Sequence, residues 1–203
     1  MINFFLNSRL LLVFITPFFL GCISVFSFQP YNFTLINFFI FPCLFFILTY
    51  INKKSKNKYR KKPYYINLFY VGYFFGVGFF LTGTYWISNS LQFDESLKNL
   101  IPLTVIIIPL SLGLFYGLGS LVCGKYLKFN LTSILLFCAT ISAVDYFRAK
   151  ILTGFPWNLW AYSWSWFNEI IQILNPIGLF AFNLLTIPFF CIPSIFFMKK
   201  YKF

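Results

Sequence analysis

The chain has 203 residues, of which 60% are hydrophobic and only 10% are charged, and its net charge is +12. A soluble domain of this length must show polar groups to water, so this composition excludes an ordinary soluble fold. A strongly basic chain can also indicate nucleic-acid binding, but here the basic residues concentrate in a short loop between apolar runs, as in membrane proteins.

Six apolar runs are long enough to cross a hydrocarbon core of ~30 Å. They predict an all-α bundle that forms a single transmembrane domain over residues 1–203. The predicted helices are, in chain order, 10–28, 33–51, 66–90, 100–123, 131–147 and 170–198. A basic loop, 52–65, follows the second helix, and a Trp-rich loop, 148–169, follows the fifth. The sixth run is long and contains three prolines, so we expect it to tilt or kink.

The first apolar run has a second interpretation. The stretch "MINFFLNSRLLLVFITPFFLGC" resembles a lipoprotein signal peptide, with Arg9 before an apolar core and Gly21-Cys22 where cleavage and lipidation would fall. However, Phe19 stands where such signals usually carry Leu, and the chain stays apolar after Cys22. An uncleaved first helix is therefore the preferred prediction.

The positions of the basic residues predict the orientation of the bundle. With both termini in the cytoplasm, 13 Lys and Arg residues are cytoplasmic and three are not. The cytoplasmic set is Arg9, seven residues of "KKSKNKYRKK" (53–62), Lys125, Lys128, Lys199, Lys200 and Lys202; the outer set is Lys98, Arg148 and Lys150. All four acidic residues then lie on the outer side, namely Asp94, Glu95, Asp145 and Glu169. Because Lys and Arg are enriched in cytoplasmic loops, the Trp-rich loop is predicted to face outward.

Small residues recur at helical spacing in the third and fourth predicted helices. Gly72 and Gly76 are four residues apart, as are Gly113 and Gly117. This spacing predicts close packing of helix backbones and no chemistry.

The five cysteines are scattered singly through the apolar runs, and the chain has no histidine. This pattern gives no support for a metal site, a disulfide framework or a histidine base. We therefore predict no metal and no cofactor.

The stretch "DYFRAKILTGFPWNLWAYSW" (145–164) concentrates the residues that could carry function. Asp145 and Arg148 share a helix face and can pair, either as a structural bridge or as a site for a polar ligand. Gly154 and Pro156 predict a turn. The tryptophans after the turn could equally form an ordinary aromatic belt that anchors helix ends at the interface. The candidate contacts to lipid or to a catalytic domain are Asp145, Arg148, Gly154, Pro156, Trp157 and Tyr162.

This stretch resembles the signature of bacterial apolipoprotein N-acyltransferases, which show an acid, two residues and Arg, then Gly-Phe/Asn-Pro-Trp and Tyr-Ser. "FSFQPYNF" (26–33) resembles the first outer loop of that family, and "GYFFGVGFFLTGTYWI" (72–87) resembles its Gly-rich third helix. "NPIGLFAFN" (175–183) resembles the start of its sixth helix. Two departures are Asp145, where the family usually has Glu, and Trp164, where Gln is common.

The resemblance implies a role in the last step of lipoprotein maturation at the bacterial inner membrane. Family members move an acyl chain from a phospholipid to the α-amino group of a lipid-modified N-terminal cysteine. Their chemistry passes through a thioester on a cysteine activated by Glu and Lys, in a nitrilase-like domain outside the membrane. This sequence has no cysteine in a predicted outer loop, so no catalytic residue is predicted in it. We expect the catalytic part to be encoded separately or lost, and the chain alone to be inactive.

On this interpretation Arg148 attracts a phospholipid headgroup and the tryptophans line the entry of the acyl chain. Two alternatives belong to other classes. The chain could be a non-enzymatic membrane scaffold or the remnant of a truncated gene. A small transporter is less favoured, because no Asp, Glu, Lys or Arg lies in the middle of a predicted helix.

Overall fold

A computed structural model describes residues 8–56, 63–93, 95–151 and 154–198. All regular secondary structure in these ranges is helical. Six helical segments are long and apolar enough to span a membrane, which confirms the predicted fold class. The orientation of the termini stays a prediction, and the basic residues at 58–62 and 199–202 lie outside the described ranges, as does Asp94.

The six segments differ in regularity. The first, α1 (Leu10–Ser27), joins a π-helical stretch, Leu10–Ile15, to an α-helix, Thr16–Ser24, and a 3-10 turn. The next four are the helices α2 (Asn37–Lys56), α3 (Pro63–Thr84), α4 (Ile101–Gly124) and α5 (Leu131–Lys150). The sixth segment, Leu179–Phe196, consists of α6 (Leu179–Phe190) and the turn and helical residues that follow it. Both α2 and α4 contain an internal proline, which a membrane helix tolerates when neighbouring groups compensate for the lost backbone bond.

Four predicted boundaries need correction. The Trp-rich loop begins later than residue 148, because α5 continues through Lys150. The predicted basic loop 52–65 is too long, because α2 continues through Lys56 and α3 begins at Pro63. The third helix ends at Thr84, and short helices at Ile87–Ser90, Leu91–Phe93 and Glu95–Leu100 lead into α4.

The prediction of one long sixth helix is also wrong. That segment is divided into Asn168–Ile171, Leu174–Ile177, α6 and Ser194–Met198. Gly178 has φ 78°, which no α-helix accommodates, so it separates α6 from the helix before it. Pro193 has no backbone N–H to donate, so it cannot continue the hydrogen-bond ladder beyond α6.

The centre of the bundle is α3, which packs against α1 and α4. Gly72 lies against Ser120 and the carbonyl of Tyr116. A Cβ added at Gly76 would lie 2.9 Å from the Cα of Gly113. A side chain at either glycine would separate the two helices. Close contact between backbones replaces the hydrophobic driving force that is missing in lipid, as the small-residue spacing predicted.

Polar side chains fix the connection between α4 and α5 at one end of the bundle. The Asn52 amide of α2 donates to the carbonyls of Lys125 and Leu127, which follow the end of α4. The Asn130 side chain accepts from the N–H of Ser133 at 2.9 Å and caps α5. The α1–α2, α3–α4 and α5–α6 connections lie at the opposite end, since consecutive spans alternate in direction. The candidate site is at that end.

Candidate functional site

The carboxylate of Asp145 joins three helices inside the bundle. Asp145 lies near the end of α5 and is fully buried. Its Oδ1 accepts from the hydroxyl of Tyr116 of α4 at 2.9 Å and from Arg148 at 3.2 Å. Its Oδ2 accepts from the amide of Asn183 of α6 at 3.0 Å. Since a buried charge is costly unless it is paired and hydrogen-bonded, these donors make an ionised Asp145 tolerable within a membrane span.

The guanidinium of Arg148 connects this carboxylate to the loop that follows α5. Arg148 is 1% exposed, and its Nη1 donates to the carbonyls of Phe155 and Trp157, the latter at 2.7 Å. Its Nη2 donates to Asp145, and its guanidinium carbon lies 5.0 Å from the ring centroid of Phe80. The Nε of Arg148 has no hydrogen-bond partner among the described residues but is buried, so a headgroup phosphate could reach the guanidinium only if the surrounding side chains moved. The arginine therefore acts in this structure as a clamp on the loop.

The backbone of the loop takes two sharp turns. Gly154 has φ 73° and donates its N–H to the carbonyl of Ile151 at 3.0 Å. An added Cβ at Gly154 would lie 2.5 Å from the carbonyl oxygen of Ala149, so glycine is required there on two grounds. Asn158 has φ 56°, and its amide donates to the carbonyl of Gly83 at the end of α3. The second turn therefore attaches the loop to the α3–α4 connection.

The middle of the loop is inserted into the bundle. Trp160 is fully buried, stacks on Phe79 at 4.7 Å between ring centroids, and donates its indole N–H to the Tyr116 hydroxyl at 3.2 Å. The N–H of Ala161 donates to the side-chain oxygen of Asn183 at 3.0 Å. Trp160 is thus a core residue, so the alternative interpretation of an aromatic belt at the interface does not apply to it.

Other aromatic side chains of the loop are exposed. Trp157 is 45% exposed and stacks on Trp86 of the α3–α4 connection, with centroids 4.6 Å apart and planes at 11°. Trp166 is 41% exposed and donates to the hydroxyl of Thr34 at 2.8 Å, which ties the loop to the α1–α2 connection. Partial burial raises the pKa of the Tyr162 phenol, and the charge of Arg148 opposes that rise. Tyr162 is therefore neutral at physiological pH and can donate a hydrogen bond.

The six predicted residues divide into two groups. Asp145 and Arg148 form the buried ion pair, and Gly154 adjoins the clamped backbone. The other three, Pro156, Trp157 and Tyr162, are exposed on the loop. Contact of any of them with lipid or with a catalytic domain stays a prediction.

Sequence reasoning missed two partners of the ion pair. Tyr116 of α4 was not singled out, and Asn183 was noted only for its resemblance. The sequence did indicate that Tyr116 and Asn183 have buried partners, because each is a polar side chain in an apolar span. It did not indicate which partners they have. Asn158 was missed as well, and its role follows from two structural features, the positive φ and the amide hydrogen bond to the Gly83 carbonyl.

The cysteines lie away from this loop. Cys22, Cys43, Cys123, Cys138 and Cys191 are unpaired, and each falls within one of the six candidate spans. They are buried or half-buried. None of them belongs to the loop that carries the aromatic surface.

Comparison with known proteins places this arrangement in a family. A family model described as the apolipoprotein N-acyltransferase N-terminal domain matches residues 20–192, a range that contains the whole polar network and the loop. A curated apolipoprotein N-acyltransferase of Rhodopseudomonas palustris is 29% identical over 121 residues, and one of Brucella melitensis is 31% identical over 121. Each alignment covers 59% of this chain and 23% of the relative, so the match accounts for less than a quarter of those proteins.

Proposed function

The chain belongs to the apolipoprotein N-acyltransferase N-terminal domain family, and from this membership we propose that it forms the membrane-embedded part of such an acyltransferase. The reaction would transfer an acyl chain from a phospholipid to the N-terminal amino group of a diacylglyceryl-cysteine lipoprotein. It would take place at the outer face of the bacterial inner membrane. The chain is a multi-pass membrane protein, and its orientation there follows the predicted charge distribution.

The observation that supports this proposal best is the clamp on the loop. The buried Asp145–Arg148 pair holds two loop carbonyls, and the exposed side of the loop carries the Trp86–Trp157 stack and the Tyr162 hydroxyl. An aromatic surface with polar edges suits the boundary between acyl chains and headgroups. Because the loop is fixed before a lipid arrives, binding costs less conformational entropy.

The proposal assigns the chemical step to residues other than those described. In that step a thiolate attacks the phospholipid ester, forming a thioester and releasing a lysophospholipid. The lipoprotein amine then attacks the thioester, which forms the amide and regenerates the thiol. We propose that the thiol comes from a nitrilase-like catalytic part, in the same polypeptide or a separate chain, that docks on the Trp157 side of the loop.

A chimeric enzyme tests the proposal. Residues 1–198 would replace the corresponding helices of the Rhodopseudomonas palustris relative, in a bacterium depleted of its own apolipoprotein N-acyltransferase. Mass spectrometry of the N-terminal cysteine of a reporter lipoprotein then distinguishes a free amine from an N-acylated one. We expect the chimera to restore N-acylation.

Two variants sharpen this test. Arg148→Met removes the clamp, and Lys98→Met removes an exposed cation that pairs only with the exposed Glu95 among described residues. We expect the first to reduce N-acylation strongly and the second to leave it unchanged. A chimera that inserts at normal levels but leaves the reporter amine free would contradict the proposal.

A further inference from the structure

An apolar groove of about 520 Å³ runs between α4 and α5 on the lipid-facing surface. Its floor is formed by Gly119 of α4 and Val144 of α5, both buried. Its rim is formed by exposed side chains, among them Leu118, Val122 and Ala143. The groove is separate from the polar network, since Asp145, Arg148 and their partners do not line it.

The floor of the groove depends on small residues. A Cβ added at Gly119 would lie 2.5 Å from Cγ2 of Val144, so a larger residue there would fill the groove or push the helices apart. Thr140 is the lining residue with a polar side chain, and its hydroxyl already donates to the carbonyl of Leu136 at 2.8 Å. The surface offered to a ligand is therefore hydrocarbon throughout.

The dimensions of the groove match one acyl chain better than a protein helix. From Ala139 to Ile151 the lining covers twelve helical steps, or about 18 Å. That is close to half of the ~30 Å hydrocarbon core, the depth of one leaflet. A transmembrane helix, by contrast, runs through the whole ~30 Å core and would extend well beyond the groove.

A cation stands at one end of the groove. Ile151 closes that end, and the neighbouring Lys150 is exposed, with its ammonium 5.8 Å from the ring centroid of Phe180. The salt bridges among the described residues join other partners, so Lys150 has no carboxylate within 4.0 Å there. Lys150 does not line the groove, but it is exposed and directly precedes Ile151. Its long side chain can therefore carry the ammonium to the end of the hydrocarbon slot, where the phosphate of a phospholipid would lie above its acyl chains.

We propose that the α4–α5 groove is a binding site for a membrane phospholipid, with one acyl chain in the groove and the headgroup phosphate on Lys150. The site goes beyond the proposed acyl transfer and does not require it. A lipid held there would support the base of the loop, because Ile151 donates its N–H to the Phe147 carbonyl and accepts from Gly154.

Photolabelling tests the proposal on the full chain in vesicles. The vesicles would be phosphatidylethanolamine with a small fraction of phosphatidylcholine that carries a diazirine midway along one acyl chain. After illumination, mass spectrometry locates the adducts. We expect several-fold more label on the α4–α5 groove than on Leu184 and Leu185 of α6, which face lipid with similar exposure.

Matched variants distinguish labelling of a specific binding site from labelling by the lipid that surrounds the whole bundle. Ala143→Phe fills the groove from its rim, while Ala181→Phe makes the same change at an exposed position on α6. We expect the first to abolish the enrichment and the second to preserve it. Lys150→Gln should lower labelling about two- to fivefold, because an exposed ion pair contributes modestly, and Lys150→Arg should retain it.

Three results would overturn the proposal. Label spread evenly around the bundle would show only the surrounding lipid. Equal labelling of the Ala143→Phe and Ala181→Phe variants would also refute it, and Lys150→Gln provides an independent answer if Ala143→Phe does not fold. Disulfide-linked dimers formed efficiently through Ala139→Cys would show that a second copy occupies the groove instead.

Discussion

Replacing Asp145 by Asn tests the buried network most sharply, because the change keeps the shape of the side chain and removes its charge. Asn at this position can still accept from Tyr116, but Arg148 loses its only carboxylate within 4.0 Å among the described residues. The guanidinium then remains as an uncompensated charge, with its side chain fully buried. We therefore expect Asp145→Asn to destabilise the bundle by about 3–5 kcal/mol, the usual cost of removing one partner from a buried pair.

The double variant Asp145→Asn/Arg148→Gln distinguishes the interaction between the two charges from the separate effect of each substitution on stability. Removal of both charges leaves no unpaired ion, so we expect the double variant to be more stable than Asp145→Asn alone. It should still be less stable than the parent chain, because the Gln side chain is shorter than that of Arg and does not reach the carbonyls of Phe155 and Trp157. The two substitutions are thus expected to be strongly non-additive.

Thermal unfolding in detergent, followed by tryptophan fluorescence, measures these effects. Trp160 reports directly on the network through its hydrogen bond to Tyr116. For a chain of this size each kcal/mol lowers Tm by about 2–4 °C, so Asp145→Asn should lower Tm by about 6–20 °C. Glu95→Gln is the matched control, since Glu95 pairs with Lys98 but its side chain is 94% exposed.

An Asp145→Asn protein with the Tm of the Glu95→Gln control would refute the reasoning. So would a double variant that is as unstable as the sum of its single variants. Either result would mean that the ion pair does not hold the loop to the bundle.

Three further predictions use the same preparations. Tyr116→Phe removes the hydroxyl that links Asp145 and Trp160, and should cost about 1–3 kcal/mol in the same unfolding assay; an unchanged Tm would contradict it. Gly154→Ala should lower Tm more than Gly178→Ala, because both glycines have positive φ but only Gly154 has a carbonyl where the Cβ would lie; the reverse order would count against the loop geometry. Trp157→Ala removes the stack on Trp86 and should lower Tm by only about 1–6 °C while it reduces N-acylation in the chimera; a large loss of stability with full activity would argue against a role of this exposed surface in acyl transfer.

The sequence predicted the parts of the fold that depend on local chemistry. Apolar runs of membrane length, the Gly72 and Gly76 spacing and the Asp145–Arg148 pairing all follow from periodicity within one helix or from the length of one segment. These features do not require knowledge of how distant segments meet. For that reason the number of spans and the pairing could be predicted before any coordinates.

The rest of the site depends on contacts between distant segments. Tyr116 and Asn183 lie 29 and 38 residues from Asp145, and nothing local assigns them to that carboxylate. Trp160 looks the same in sequence as Trp157, yet one is fully buried and the other is exposed. Trp160 is buried and Trp157 is exposed because the two turns and the Arg148 clamp direct Trp160 into the bundle. One of these turns could not be predicted, because Asn158 has a positive φ at a position where no glycine indicates a turn.

The division of the sixth segment into short helices could not be predicted for a different reason. Its composition is apolar enough for one long helix, yet the chain is interrupted at residues 172–173, at Gly178 and at the turn that contains Pro193. Glycine in a membrane helix is often tolerated, so its presence did not predict a break. The interruption is important because it lets α6 begin where Asn183 can reach Asp145 and the loop backbone.

The central claim is that the loop faces the compartment outside the cytoplasm, and the accessibility of a single engineered thiol tests it most directly. Glu169→Cys places a thiol on an exposed position at the end of the loop, and Lys53→Cys places one at the opposite end of the bundle. With a membrane-impermeant maleimide on intact spheroplasts, we predict labelling of Glu169→Cys and no labelling of Lys53→Cys until the cells are lysed, with the unmodified chain as the baseline. Labelling of Lys53→Cys alone in intact spheroplasts would reverse the topology and contradict the proposed function.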